Sequence, residues 1–440
     1  MRVSLDRKVI ALAVPVMIAM ISQSAVMIAD TAMVGPLGPS SLGAAGLGGV
    51  TTWTFIAFLA GLSTGVQILT AHRMGEHDIP RLQRILVASV LLSLATGAIV
   101  AFAGYSVAHP ISTLLAGDAE LRFLTGEYIA YRMAGVIFLF PAFMLRGFFD
   151  GAGITIAGMF SAFLSTVSNI FLNWVFIYGN LGAPSMGVAG AALASSLSAL
   201  PQLLVFLPFF YHPRIRPLVR LRMPSFDQYR NIVRTGFAPG IEQALTNLSF
   251  VAFTRLSALA GTAVLAANNV VFIIIAVSFM PGFSFGIAAT TILGQAMGKK
   301  QFELARLGVW AAARIAATIM ALFAVAFLLF AETIIGWFTP DPVVVREASN
   351  GLRVAALVQV ADAYHMVLAA ALRGAGLFWW VLRIYLGVSF LVMIPVAAIL
   401  GVWLDLGSGG FWFAIAIWLS LLSLIFARAF ARGEWKQARV

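Results

Sequence analysis

The sequence has no cysteine and few charges: 17 acidic and 28 basic side chains in 440 residues, together 10% of the chain. Without thiols there are no disulfides, thiolate metal sites or cysteine nucleophiles. The five histidines are scattered without ligand spacing, so no metal site is expected from them. No glycine-rich loop runs into Lys-Ser or Lys-Thr, which leaves no phosphate cradle for an ATP-driven pump in this chain. Apolar residues do not alternate with period two, so a strand-built barrel is excluded. No cofactor is expected.

What is present is hydrocarbon. The chain is 61% hydrophobic with a mean hydropathy of +0.96, against about 45 to 50% apolar residues in ordinary soluble domains. Its apolar runs are continuous over about 20 residues, the length that crosses a bilayer as a helix. The expected fold class is an all-α polytopic membrane protein with twelve transmembrane helices. These fall at about 8–35, 42–71, 84–108, 122–145, 153–178, 187–210, 231–256, 262–297, 304–330, 345–371, 377–402 and 410–430. Arg2, Arg7 and Lys8 ahead of the first run look like a signal peptide, but the run continues to Asp30 with no small-x-small cleavage site. A retained first helix is expected.

The basic residues then sort by side. Of the 28, 22 fall at the two chain ends or in alternate loops, among them Arg73, Arg146, Arg214, Lys299, Arg373 and Arg439. The opposite loops hold almost none, so both termini are expected in the cytoplasm. This placement accounts for the net charge of +11 without nucleic acid as a partner. The densest basic cluster lies in Tyr211 to Arg230, which also carries three prolines. It reads as a linker, with an amphipathic segment on anionic headgroups as the alternative.

Set against itself, the sequence matches at a constant offset of 223 residues: Gly38 with Gly261, Met74-Gly75 with Met297-Gly298, Asp118 with Asp341, Gly151-Ala152-Gly153 with Gly374-Ala375-Gly376. Two six-helix repeats follow, and six being even, both have the same topology. The expected organisation is an N-terminal lobe at 1–210, a cytoplasmic linker at 211–226 and a C-terminal lobe at 227–440. They are related by a parallel pseudo-two-fold repeat along the membrane normal, an architecture that places a transport site between halves.

Within this frame Met17 to Gly38 stands out, an apolar run of helical length with one carboxylate, Asp30. An ionised Asp in a bilayer helix costs about 2.5 kcal/mol or more and usually faces a partner or an ion pathway. Counted from Lys8 at about 1.5 Å per residue, Asp30 lies about 33 Å along, near the far side of a core about 30 Å thick. A tilted or short helix would leave it as a plain interfacial acid. Its candidate partners are Asn169 and Asn173, one helical turn apart on one face, and Tyr128 and Tyr131 with Glu127. Burial of a carboxylate favours its protonated form while amide and hydroxyl donors favour the ionised one, a tension that makes a titratable switch. The competing reading of the two asparagines is interhelical cohesion.

The second half has its own polar set: Glu242 with Gln243, Asn268 with Asn269, and Asp362 three residues before His365. A satisfied interhelical pair and a proton shuttle both fit Asp362 and His365. Gly61-Leu62-Ser63-Thr64-Gly65 and Gly282-Phe283-Ser284-Phe285-Gly286 fit the nucleophile-elbow spacing, but inside apolar helices the same glycines serve close packing. Methionines and phenylalanines abound, and Met27, Met33, Phe143 and Phe283 are candidates for an adaptable apolar substrate cavity.

Asp30 in ADTAMVGPLG followed by LGAAGLG, TAHRMGEHD closing the second helix, TILGQAMGKK in the second half, and LRGFFDGAG echoed by ALRGAG together resemble the multidrug and toxic compound extrusion (MATE) family. The resemblance spans nearly the whole chain. It implies two six-helix lobes around a cavity that opens alternately inward and outward. It also implies a monomeric exporter of amphipathic cations in the bacterial cytoplasmic (inner) membrane, in contact with membrane lipid, driven by protons or sodium, and not an enzyme. Residue by residue, Asp30 matches the family's first-helix acid, Tyr128 a helix-four tyrosine and Asn169 the first polar residue of a helix-five pair. The second of that pair is often Asp and here is Asn173, a departure that looks like the DinF-like branch. One carboxylate exchanges a proton with little rearrangement, whereas a metal cation is better held by several oxygens, so proton antiport is expected. Asp362 matches a helix-ten acid of the NorM-like branch. Glu242 stands closer to Pro239 than that branch's helix-seven acid does. A lipid-linked-substrate flippase of the same superfamily is disfavoured, since only Arg132, Arg255, Arg314 and Arg353 fall in or at the edge of spans. An intramembrane hydrolase lacks its Ser-His-acid set.

Overall fold

The computed structural model describes residues 2–220 and 222–438. Arg439, one of the expected cytoplasmic cations, lies outside them. In chain order the helices are α1 (Arg2–Val34), α2 (Pro39–Glu76), α3 (Ile79–Leu115), α4 (Ala119–Ala134), α5 (Val136–Ala152), α6 (Thr155–Tyr178), α7 (Gly187–Leu197), α8 (Ala199–Leu204) and α9 (Phe206–Phe209). They continue with α10 (Phe226–Leu259), α11 (Thr262–Gly298), α12 (Phe302–Gly336), α13 (Pro342–Gly374), α14 (Phe378–Val388), α15 (Ile394–Ala397) and α16 (Gly407–Arg432). Two π-helical stretches, Ser389–Met393 and Ala398–Trp403, tie α14 and α15 into one span.

Among the described residues ten helices are long and apolar enough to cross a membrane. The pair α4 and α5, bent by 48° where they meet, makes an eleventh. The twelfth is α10, 34 residues long but less apolar, carrying Asp227, Arg230, Arg234, Glu242 and Arg255. The twelve spans are those expected from the apolar runs.

The two repeats share local geometry as well as sequence. Gly38 precedes α2 at φ 106° and Gly261 precedes α11 at φ 122°, a region open to glycine and strained for other residues. Asp118 and Asp341 each accept backbone N–H bonds at the first turn of α4 and α13, the ordinary N-cap. His77 and Lys300, also 223 apart, both take left-handed backbone after α2 and α11.

By internal contacts the chain forms two compact units, residues 18–240 and residues 1–17 with 241–440. In the first, the glycines of Gly61-x-x-x-Gly65 on α2 face those of Gly236-x-x-x-Gly240 on α10 backbone to backbone, the small-residue crossing by which membrane helices approach closely. Ser63, between the first pair, donates to the Phe143 carbonyl at 2.6 Å and is a packing residue. Phe148, Phe149, Phe206, Phe209 and Phe210 form an aromatic knot between α5 and α9.

In the second unit the core is an alanine-lined bundle of α11, α12, α13 and α16. Val9, Leu12 and Ala13 of α1 are buried in the same core, as are Phe411, Phe426 and Trp435 near the other end of the chain. Gly282 and Gly286 on α11 lie against Met366 and Ala370 of α13, so this second elbow-like segment is also a helix contact.

Candidate functional site

In the unit of residues 18–240, α1 and α6 run parallel and are joined by side chains at three levels. Thr166 Oγ1 donates to the Ser22 carbonyl at 3.0 Å, Asn173 Nδ2 to Asp30 Oδ1 at 2.6 Å, and the Tyr178 hydroxyl to the Met33 carbonyl at 2.7 Å. The order of both partners along their helices fixes Asp30 about one turn below the end of α1. It is half-buried, beside Asn169 and Asn173, which are fully buried.

The network around the carboxylate closes on itself. Asn173 Nδ2 also reaches Asn169 Oδ1 at 3.2 Å, Asn169 Nδ2 donates to Ser195 Oγ at 3.0 Å, and Ser195 Oγ donates to Asp30 Oδ2 at 3.3 Å. The two asparagines share one face because they stand four residues apart. Ser195 comes from α7. No ion pair to Asp30 is found among the described residues, so its charge is held by neutral donors, with the guanidinium of Arg132 close enough for its field to be felt. The Asn173 carbonyl oxygen is buried with no hydrogen-bond partner among the described residues.

Tyr128 is buried on α4 against Gly48 of α2. Its hydroxyl makes no hydrogen bond to Asp30, but the charges of both Asp30 and Arg132 act on the phenol. Glu127 lies elsewhere, 3.3 Å from His109 Nε2. Of the expected cavity residues in this unit, Met27 is 73% exposed and Met33 packs beside Val34 and Tyr128. Phe143 meets Ser63 through its carbonyl, as described above.

In the other unit the polar residues form three separate groups. Glu242 accepts a hydrogen bond from Arg373, at the end of α13, in a close ion pair. His365 Nδ1 lies 3.0 Å from Asp362 Oδ1, with the imidazole among Tyr385, Trp418 and Phe426. Asn268 belongs to a different group: its Nδ2 donates to Ser257 Oγ, and its Oδ1 accepts from Ser408 Oγ and Trp412 Nε1. Phe283 is 50% exposed.

The repeat shows how differently the halves are furnished. At the 223-residue offset Asp30, Asn169 and Asn173 stand opposite Phe253, Val392 and Val396. Phe253 is fully buried against Phe272 and Phe411. Where the first repeat keeps a carboxylate among amides, the second is packed with rings and aliphatic groups.

Removing one partner of a buried ion pair leaves an uncompensated charge, which costs about 3 kcal/mol or more. Arg373→Gln is therefore expected to lower the melting temperature of the purified protein by several degrees, with Arg373→Gln/Glu242→Gln recovering most of the loss. Equal melting of the single variant and the parent would show that the pair adds nothing.

The MatE family model matches residues 15–175 and 240–399, one match in each repeat. The chain belongs to the MATE family. As a MATE protein it is a multi-pass membrane transporter and not an enzyme. It is 26% identical to a probable multidrug resistance protein NorM of Thermotoga maritima over 99% of this chain and 94% of that one. A probable NorM of Bacillus subtilis is also 26% identical, over 91% of this chain and 90% of the relative. Among solved structures, an outward-facing multidrug resistance MATE transporter of the MOP superfamily superposes with a TM-score of 0.89 at 25% identity, covering 97% of this chain and 96% of that one. A MOP superfamily transporter from Pyrococcus furiosus superposes equally, TM-score 0.89 at 24% identity, over 99% and 97%. The MATE fold thus extends over the whole chain.

Ser195 and Arg373 are the functional-site neighbours that sequence reasoning missed. Ser195 sits in Ala194-Ser195-Ser196-Leu197-Ser198, where nothing in the spacing selects one serine. Arg373 reads as one more cytoplasmic arginine until α13 is seen to carry it to Glu242.

Proposed function

We propose that this MATE transporter exports lipophilic and cationic compounds across the bacterial cytoplasmic membrane in exchange for protons, by alternating access, with Asp30 as the coupling acid. The observation that carries the reading is the carboxylate of Asp30 held by Asn173 and Ser195 rather than by a fixed cation. A carboxylate so held can lose its charge without leaving a buried countercharge behind.

Ser195 suits both states of the acid. A serine hydroxyl is one donor and two acceptor sites. It donates to the ionised carboxylate; once Asp30 is protonated, the new O–H donates to Ser195 Oγ and the serine turns its own hydrogen elsewhere. Asn169 and Asn173 keep their bonds throughout. Proton and cationic substrate compete for one negative charge, and exchange follows if the two occupants favour different conformers. In this reading the lobes are residues 1–210 and 227–440, the linker 211–226 and both termini are cytoplasmic, and the protein acts as a monomer. The side chain at Asn173 keeps it nearest the DinF-like pattern.

One observation favours sodium as a second reading. The unpartnered carbonyl oxygen of Asn173 lies beside a carboxylate and a hydroxyl, a set of oxygens that a hard cation accepts. Proteoliposomes loaded with a fluorescent lipophilic cation distinguish the two. An imposed pH gradient is expected to drive efflux with sodium absent, and an imposed sodium gradient at equal pH to leave the dye in place. The reverse pattern would exclude proton coupling.

A further inference from the structure

An apolar cluster in the unit of residues 18–240 fixes the level of the Asp30 network. Val34 of α1, Tyr128 of α4, Ile177 of α6 and Ala191 of α7 pack together in it. Four residues away from these, on the same four helices, stand Asp30, Arg132, Asn173 and Ser195. Residues four apart share a helix face, so the four polar side chains form one layer beside the apolar one. Ser196 Oγ donates to the Tyr131 carbonyl at 2.8 Å and ties α7 to α4 at this level. Hydrogen bonds join Asp30, Asn173 and Ser195, directly or through Asn169. The fourth member, Arg132, stands outside that network.

Arg132 is half-buried about 20 Å along α4 from its start, and among the described residues it makes no hydrogen bond or ion pair. The acids nearest in sequence are engaged elsewhere: Asp118 caps the first turn of α4, Glu120 accepts from Ser40, and Glu127 lies by His109. An unpaired guanidinium in a membrane span is costly, and such residues face a partner or a transport pathway. Its field reaches Asp30 and the Tyr128 phenol, yet it does not pair with the carboxylate. The layer therefore carries one negative and one positive charge held apart, the positive one with five N–H donors unspent.

We propose that Arg132 sets substrate specificity by binding the carboxylate of amphoteric substrates whose ammonium group goes to Asp30. The proposal rests on Asp30 as the acid that meets the substrate, and names the class of compound that suits it best. With Asp30 ionised the two charges cancel, so a plain cation gains at Asp30 and is repelled at Arg132. A compound that carries both signs gains at both ends. The guanidinium is a planar fork that matches a carboxylate with two parallel N–H bonds. Once Asp30 is protonated, only the Arg132 end is still held, and the ammonium end is repelled by the positive charge that remains.

The test compares two dyes of one shape: tetramethylrhodamine, which carries a cation and a free carboxylate, and its methyl ester, which carries the cation alone. Binding of each to the full chain in an uncharged detergent is read by fluorescence polarisation at mildly alkaline pH. The parent is expected to hold the carboxylate form about tenfold more tightly or better, the worth of one charge-assisted hydrogen bond. In R132Q that ratio falls to about one, whereas R222Q, which removes the same charge from the linker, keeps it. The proposal is overturned if the parent binds both dyes alike or prefers the ester, or if R132Q keeps the parental ratio. An equal loss of affinity for both dyes in R132Q, as a merely structural role would give, also overturns it. Should R132Q fail to fold, the parent's ratio decides alone. The two readings fail apart: proton-driven efflux of the ester with equal affinities sinks the role of Arg132, and the tenfold preference without such efflux sinks proton exchange.

Discussion

Asp30→Asn is expected to bring drug tolerance and proton-driven efflux down to the level of cells without the transporter, while the protein remains in the membrane in normal amount. The substitution keeps the shape. The asparagine oxygen still accepts from Asn173 Nδ2, and its new amide donates to Ser195 Oγ, which has acceptor sites to spare. What is lost is the change of charge. Moving a two-state equilibrium from about 1:99 to 99:1 takes about 5.5 kcal/mol of differential binding, and an amide that never ionises supplies none of it from protons. The effect is therefore expected to be all or nothing. Accumulation of a fluorescent cation in cells and pH-driven efflux in proteoliposomes read the two sides of the prediction. Efflux at parental rates in both would remove Asp30 from the mechanism.

The second large effect is structural. A Cβ added at Gly61 would lie 2.3 Å from the Gly240 nitrogen and 2.4 Å from its Cα, and one at Gly236 would lie 2.5 Å from Leu62 Cα. These neighbours are backbone atoms in the middle of α2 and α10, so no rotamer change relieves the overlap and the helices must separate. Overpacking of this kind costs about 3 kcal/mol or more, a large share of the roughly 5 to 15 kcal/mol that holds a folded domain together. Gly61→Leu is expected to reduce the amount of folded protein severalfold and to lower its melting temperature by about 6 °C or more. Gly46→Ala, at a position with nothing within 4 Å, is the matched control and is expected to be neutral. If Gly61→Leu melts with the control, the close crossing is not what holds α2 to α10.

Most of this architecture can be read from the sequence because the bilayer imposes it. Twenty apolar residues in a row leave few alternatives, and the constant 223-residue offset ties the two halves to one topology. The Asp30–Asn173 contact is legible for a related reason: a lone carboxylate in hydrocarbon needs a donor, and two asparagines one turn apart offer one. Reading stops where several residues satisfy the same rule. Three serines share one stretch of the sixth span, and only the packing of α7 on α6 selects Ser195. Tyr128 was expected beside Asp30; it is buried against Gly48 of α2 and makes no hydrogen bond to the carboxylate. Gly236 and Gly240 carry the same spacing as Gly61 and Gly65, but a glycine pair has no partner until helices are placed side by side.

The burial of Val9, Leu12 and Ala13 in a core that also contains Phe426 and Trp435 bears on how the protein is made. Ribosomes add about 5 to 20 residues per second, so the opening turns of α1 wait roughly 20 to 80 s for their last neighbours to be synthesised. During that interval the core around them is incomplete. Final consolidation of this core thus waits for the end of translation, and a chain stalled before α16 leaves it without the side that Phe411 and Phe426 supply.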